Sequence, residues 1–345
     1  MKRRSPLVLA AGVSSALIVL TSAMNYLGVT SVPLPFVAAT EVHSLTGVEG
    51  VDGPVLVVKL DDTKFAHPQV GLRDADVVYI EQVEGGLTRL AAVFSSKIPE
   101  IVGPIRSARI SDIELMAQYG KVAFAYSGAQ SKLMPVINAA NIHDSGAMKY
   151  GPSFYLDDAA RRAPYAMMLK SRELFTKVNA ERRDISISKP MGWVFGDAPE
   201  GLRSFESVHI SWPASSYDAQ WSPEESRWLL SHSGTPNFDN TGYQLGPKTL
   251  VIQMVSITDS IYKDKVGGVT PFTATVGSGR CYLLRDGGVK ECLWERSDEL
   301  GGTVFTDLIG NELSFDKGQI WFALASKEPL FKGLAAQGAT PTPTK

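Results

Sequence analysis

The chain has 345 residues, 44% hydrophobic and 20% charged, with a formal net charge of −2. That is globular composition, long enough for one large or two modest domains. The near-neutral balance excludes a basic nucleic-acid footprint, so no nucleic-acid partner is expected.

Lys2, Arg3 and Arg4 precede the apolar run Leu7–Leu20, and small residues follow to Val37-Ala38-Ala39. This is the layout of a signal peptide over residues 1–39. Because apolar residues continue to Val29, it also fits a membrane anchor over 7–29. Both place the body outside the cytoplasm, since positive flanks stay inside. No cysteine follows the run, so lipid attachment at a cysteine is excluded there. Pro54–Leu60 (PVLVVKL) reads as a buried strand and Asp61–Arg73 as a loop. Val77–Val83 and Leu87–Phe94 flank Gly85-Gly86 and read as a hairpin. Ser111-Asp112-Ile113-Glu114 is a capping box, predicting a helix that ends near Gly120. Val122–Tyr126 reads as a strand; Ser131–Ala140 and Ser171–Glu181 read as helices.

From Gly192 onward short strands dominate, with Trp and Tyr alternating with polar residues. The residues after Lys332 are Gly, Ala, Thr and Pro, predicting a disordered tail over 333–345. The expected fold is α+β: an α/β N-terminal half with a mixed sheet (40–190) and a β-rich antiparallel C-terminal half (191–332). The two cysteines lie in RCYLLRDGGVKECLW, a hairpin around Arg285–Gly288. Pairing Leu284 with Val289 puts Cys281 opposite Cys292, so an oxidising compartment would join them. If the register slips, they are two buried thiols.

The segment Asp76–Arg109 carries the candidate site. A buried hairpin interrupted by Glu81, Gln82, Glu84, Thr88 and Arg89 must satisfy those polar groups. A Gly-Pro step then delivers Arg106, Ser107 and Arg109 ahead of a helix start, where guanidinium forks and backbone N–H groups favour anions. With Gly85-Gly86 as the turn, Glu84 would face Leu87 and Gln82 would face Arg89. Gln82, Glu84 and Arg89 would then share one face, with Glu81 and Thr88 on the other. The bland alternative is a self-paired structural network. Ser127-Gly128 ends a strand but lacks a nucleophile-elbow pattern. His67 and His143 read as loop residues. The five histidines form no metal-spaced motif and Asp61-Asp62 alone is no calcium loop, so no metal or cofactor is expected. Tyr217, Trp221 and Trp228 read as core rather than as a sugar platform.

The stretches HPQVGLRDADVVYIEQVEGGLTRLAAVF, GPIRSAR and YSGA, and farther on TLVIQMV, VGSGRCYLLRDGGVKECLW and GQIWFAL, resemble the YerB-like lipoprotein family, which carries the domain-of-unknown-function 3048 label. The resemblance spans roughly Val55 to Leu324. It implies an α+β fold in two halves and an envelope location, and it implies no activity or cofactor. Two features depart from the family pattern: the missing lipid-attachment cysteine, and Pro164-Tyr165-Ala166 where many relatives read Pro-His-Asn.

The leading expectation is a tethered or secreted envelope protein binding an anionic or carboxylate-bearing wall ligand through Gln82, Glu84, Arg89, Arg106, Ser107, Arg109 and Ser127. One alternative is a wall hydrolase using Glu81 or Glu84 as acid or base. Residues three apart on a strand point to opposite faces, so the two could not share a cleft. The other alternative is a scaffold for a partner protein.

Overall fold

The strand Leu56–Asp61 (β1) is buried along its whole length, as its continuous apolar run demands of a central strand. In this computed structural model, which describes residues 41–181 and 184–335, it lies inside an eleven-stranded sheet. Val77–Gln82 (β2) and Thr88–Phe94 (β3) form the expected hairpin, and β3 runs antiparallel to β1. Val122–Ala125 (β4) and Ile142–Asp144 (β5) continue the sheet in parallel on the other side of β1. The sheet is completed from the C-terminal half. Ile320–Ala325 lies between β2 and Thr249–Met254, parallel to both. The cysteine hairpin Gly277–Arg285/Gly288–Arg296 and Val304–Thr306 form the far edge.

The structure is strand-rich, with 41% strand and 13% helix, in mixed and antiparallel sheets. The C-terminal half is therefore not purely antiparallel, because its last central strand inserts parallel between two others. Strands from both sequence halves share this one sheet.

A second, five-stranded antiparallel sheet contains Ser207–Trp212, Ser215–Ser222 and Arg227–His232. Burial alternates along Ser207–Trp212, as a half-covered strand requires. Its inner side chains, including Trp212, Tyr217 and Trp228, pack on Val58, Ile80, Leu90 and Trp321 of the central sheet. Tyr217 and Trp228 are thus core, as their sequence context indicates. The Trp212 indole donates to Leu324 O (2.9 Å) and that of Trp228 to Leu284 O (3.1 Å), satisfying their polar edges. On the opposite face, Val57, Val77, Tyr79, Ala91 and Val93 pack with Leu115 and Met116 of the helix Ile110–Ala117.

Cys281 pairs opposite Cys292 and the two form a disulfide, with Cα atoms 4.7 Å apart. The turn is Asp286-Gly287, both at positive φ (50° and 73°), as a two-residue hairpin turn requires. Ser171–Glu181 is helical as predicted, whereas the helix expected over Ser131–Ala140 is confined to Met134–Ala139. The signal or anchor segment and most of the expected tail lie outside the described residues. Among those described, no helix is long and apolar enough to cross a membrane.

Candidate functional site

Beyond the Gly103-Pro104 step the chain is laced between two strand ends. Leu60 bridges to Ile105, and Arg106 N donates to Lys59 O (2.9 Å). Ser127 N donates to Arg106 O and Ala108 N to Gly128 O, both at 2.9 Å. This lacing fixes Arg106 and Ser107 beside Ser127, with the two hydroxyls 3.4 Å apart. The helix Ile110–Ala117 follows. It starts two residues earlier than the capping box predicts, because the Asp112 carboxylate accepts the Arg109 backbone N–H (2.6 Å). Glu114, expected in that box, instead accepts the N–H groups of Thr275 and Val276.

These segments wall a cleft of about 810 Å³, lined by Glu84, Arg89, Arg106, Ser107, Arg109 and Ser127 among others. Six of the seven expected ligand-binding residues therefore converge. Gln82 does not. The ladder pairs Glu81 with Arg89 and Gln82 with Thr88, one residue out of the expected register. The turn is the three-residue helical turn Glu84-Gly85-Gly86, closed by Val83 N–H to Leu87 O (2.8 Å). A one-residue slip moves every side chain to the opposite face. Glu81 and Arg89 thus share the face that Gln82 was expected to occupy. Thr88 points the other way, donating to Asp62 Oδ2 (2.5 Å).

Charges in the cleft are paired unevenly. Arg109 grips Glu84, with Nε 2.6 Å from Oε1 and Nη2 2.7 Å from Oε2. Burial pushes the Glu84 carboxyl up. The Arg109 hydrogen bonds and charge, with the Thr270 hydroxyl, outweigh it and hold the carboxyl below its ordinary value. Glu84 is thus bound to Arg109. Arg106 is ion-paired with the buried Asp61 carboxylate, and its guanidinium lies 5.4 Å from the Tyr165 ring centre.

Arg89 is different. It is only 9% exposed, and its Nη1 donates to Ser107 O (2.8 Å). Among the described residues no carboxylate lies within ion-pair distance of it. Burial, then the charges of Arg109 and Arg106, pull its guanidinium down to about 9, still protonated at neutral pH.

Beneath the cleft lies a group that sequence reading missed. Lys59 sits 2.8 Å from Glu81 Oε1 and 2.6 Å from Asp112 Oδ1, all three essentially sealed from solvent. Glu81 therefore has no face on the cleft, and Glu84 is held ionised by Arg109. Neither geometry suits a general acid. The apolar context of PVLVVKL hid Lys59. The one available signal was a lysine in a strand with no polar neighbour.

Family models match most of the chain. The model described as "Protein of unknown function (DUF3048) N-terminal domain" matches residues 45–186, and its C-terminal counterpart matches 208–322. The chain belongs to the DUF3048 family. A relative in Bacillus subtilis (strain 168), named "Putative lipoprotein YerB", is 52% identical over 56 residues, 16% of this chain. That match spans 17% of the relative's length. The crystal structure of YerB protein from Bacillus subtilis has a TM-score of 0.72 at 20% identity, covering 83% of this chain and 97% of that one. This likeness shows that the DUF3048 chain shares the fold.

The turn that carries Glu84 gives a direct stability prediction. Gly85 and Gly86 both have positive φ, 68° and 74°. A Cβ on Gly85 would meet nothing within 4 Å, whereas one on Gly86 would lie 2.4 Å from Pro213 Cβ. Gly85→Ala should cost about 1 kcal/mol from its left-handed backbone alone. Gly86→Ala should cost about 2 kcal/mol more, because the turn carrying Pro213 is tied to Gly86 by the Ala214 N–H to Gly86 O hydrogen bond (2.9 Å) and cannot simply step back. Urea unfolding of the two variants measures the difference; equal losses would contradict the packing assigned to Gly86.

Proposed function

We propose that this DUF3048 protein is an extracytoplasmic envelope protein, tethered or secreted, whose arginine cleft binds an anionic or carboxylate-bearing cell-wall ligand. The location is supported by the basic-then-apolar N-terminal sequence, by the Cys281–Cys292 disulfide, which persists in oxidising compartments, and by the lipoprotein name of its relative.

The observation that carries the ligand reading is Arg89. Asp61 and Glu84 answer Arg106 and Arg109, leaving Arg89 without a carboxylate of its own at the cleft. A ligand carboxylate would supply the missing charge and accept a planar guanidinium fork. Ser107 and Ser127 offer hydroxyls beside it. The cleft volume falls within the range of small-ligand sites, and the peptide stems of peptidoglycan carry the required free carboxylates.

The test is calorimetric titration with a wall stem peptide and with the same peptide amidated at its carboxylates. The free acid should bind at least about 10-fold more tightly, with an advantage that shrinks as salt is added. Equal affinity for acid and amide would contradict the reading.

A further inference from the structure

A second polar cluster lies outside the arginine cleft, where the loop after β1 meets the second sheet. Asp62 Oδ1 is 3.6 Å from His67 Nε2, and Asp62 Oδ2 is 3.8 Å from His232 Nε2. All three donor atoms lie within 4.8 Å of one another. The two imidazoles stack, with centres 4.6 Å apart.

Two of the three donors are held from behind, while His232 Nε2 lies 3.2 Å from the Ser215 hydroxyl. His67 Nδ1 is 2.8 Å from Asn237 Oδ1, a residue 170 positions away. With Asn237 Oδ1 as the acceptor, Nδ1 carries the proton of a neutral His67 and Nε2 is turned toward Asp62. The Asp62 carboxylate is oriented by the hydroxyls of Tyr217 (2.6 Å to Oδ1) and Thr88 (2.5 Å to Oδ2). Outer hydrogen bonds of this kind fix the tautomer and direction of metal ligands.

Two further facts point to a missing positive charge. His67 Nε2 is buried and has no hydrogen-bond partner, and the same holds for Gln69 Oε1 beside it. Gln69 is fully buried, with its amide nitrogen 3.3 Å from Asp62 Oδ1. Buried polar atoms without partners are rare and call for an explanation. Here His67 Nε2 faces the Asp62 carboxylate at 3.6 Å, a contact made attractive by a proton on Nε2 or by a cation held between the two.

We propose that Asp62, His67 and His232 form a binding site for a divalent transition-metal cation of the zinc class. Two imidazoles and one carboxylate make a donor set suited to zinc, cobalt or copper rather than to calcium or magnesium. His67 also lines a neighbouring cavity of about 540 Å³. The ion would tie the loop after β1 to the second sheet. The sequence concealed this site because His232 comes from a distant strand, and Asp62 and His67 alone form no metal motif.

The test uses the untagged full chain, stripped with chelator and titrated with Co²⁺. One equivalent should give the visible absorption of a nitrogen- and oxygen-bound ion, should be displaced by Zn²⁺, and should raise the melting temperature. His67→Gln and His232→Gln should each abolish that absorption, and Asn237→Ala should weaken binding about 10-fold. Electron spin resonance of Cu²⁺ on the wild type should show coupling to two imidazole nitrogens, a readout that needs no variant. No uptake by the wild type, coupling to fewer than two imidazoles, or undiminished uptake in both histidine variants overturns the assignment.

Discussion

Replacing Lys59 with methionine is expected to lower the stability of the fold by about 4 kcal/mol, as measured by equilibrium urea unfolding. Methionine fits the length of the lysine stem but brings no charge. Glu81 and Asp112, each within 2.8 Å of the ammonium in the native fold, would then face each other as buried carboxylates. Neither can turn to water, since Lys59, Glu81 and Asp112 are at most 1% exposed. The damage should spread. Asp112 also accepts the Arg109 backbone N–H, so the first turn of its helix and the Arg109–Glu84 pair would loosen with it. Combining Lys59→Met with Glu81→Leu should recover part of the loss, because the second change removes one uncompensated carboxylate. A single variant within about 1 kcal/mol of wild type would show that the buried triad does not hold this corner together.

Stability should also fall as pH rises toward neutrality, an effect traceable to Glu81. Burial raises the Glu81 carboxyl, Lys59 pulls it back and Asp112 raises it again, leaving it pushed up to about 7 from an ordinary 4.5. The folded state therefore holds the proton more tightly than the unfolded chain. Its contribution is fully present below 4.5 and is lost as pH rises through about 7. The loss is on the order of 3 kcal/mol. Glu84 and Asp62, whose carboxyls are lowered, act with the opposite sign and only at acid pH, so the two regimes separate. Glu81→Gln should flatten the decline between about pH 5 and pH 8. A wild type whose stability is level or rising across that window would contradict the assignment.

The architecture concentrates charge at the ends of β1, β2 and β3, where the helix Ile110–Ala117 begins.

Much of this was legible in the sequence where local pattern decides. The Gly-Gly hairpin, the cysteine pairing and the helix Ser171–Glu181 are set by turn chemistry and periodicity. The convergence of Arg106, Ser107, Arg109 and Ser127 followed from their shared segment and the adjacent strand end. The failures have physical causes. Gln82 was placed on the wrong face because a three-residue turn replaced a two-residue one, and strand faces alternate at every residue. The helix start moved because Asp112, not Glu114, reaches back to the chain. Lys59 and the Asp62–His67–His232 cluster each depend on a contact across more than fifty residues, Lys59 to Asp112 and Asp62 to His232, which no local spacing reports.

The most direct test of the binding account is titration of the wild type and Arg89→Gln with one carboxylate-bearing wall peptide, alongside urea unfolding of both. Because no carboxylate lies within ion-pair distance of Arg89 among the described residues, its replacement should weaken binding about 100-fold while changing stability by no more than about 1 kcal/mol. Full affinity in the variant, or a loss of affinity that merely tracks unfolding, would contradict the claim that this buried guanidinium awaits an anion.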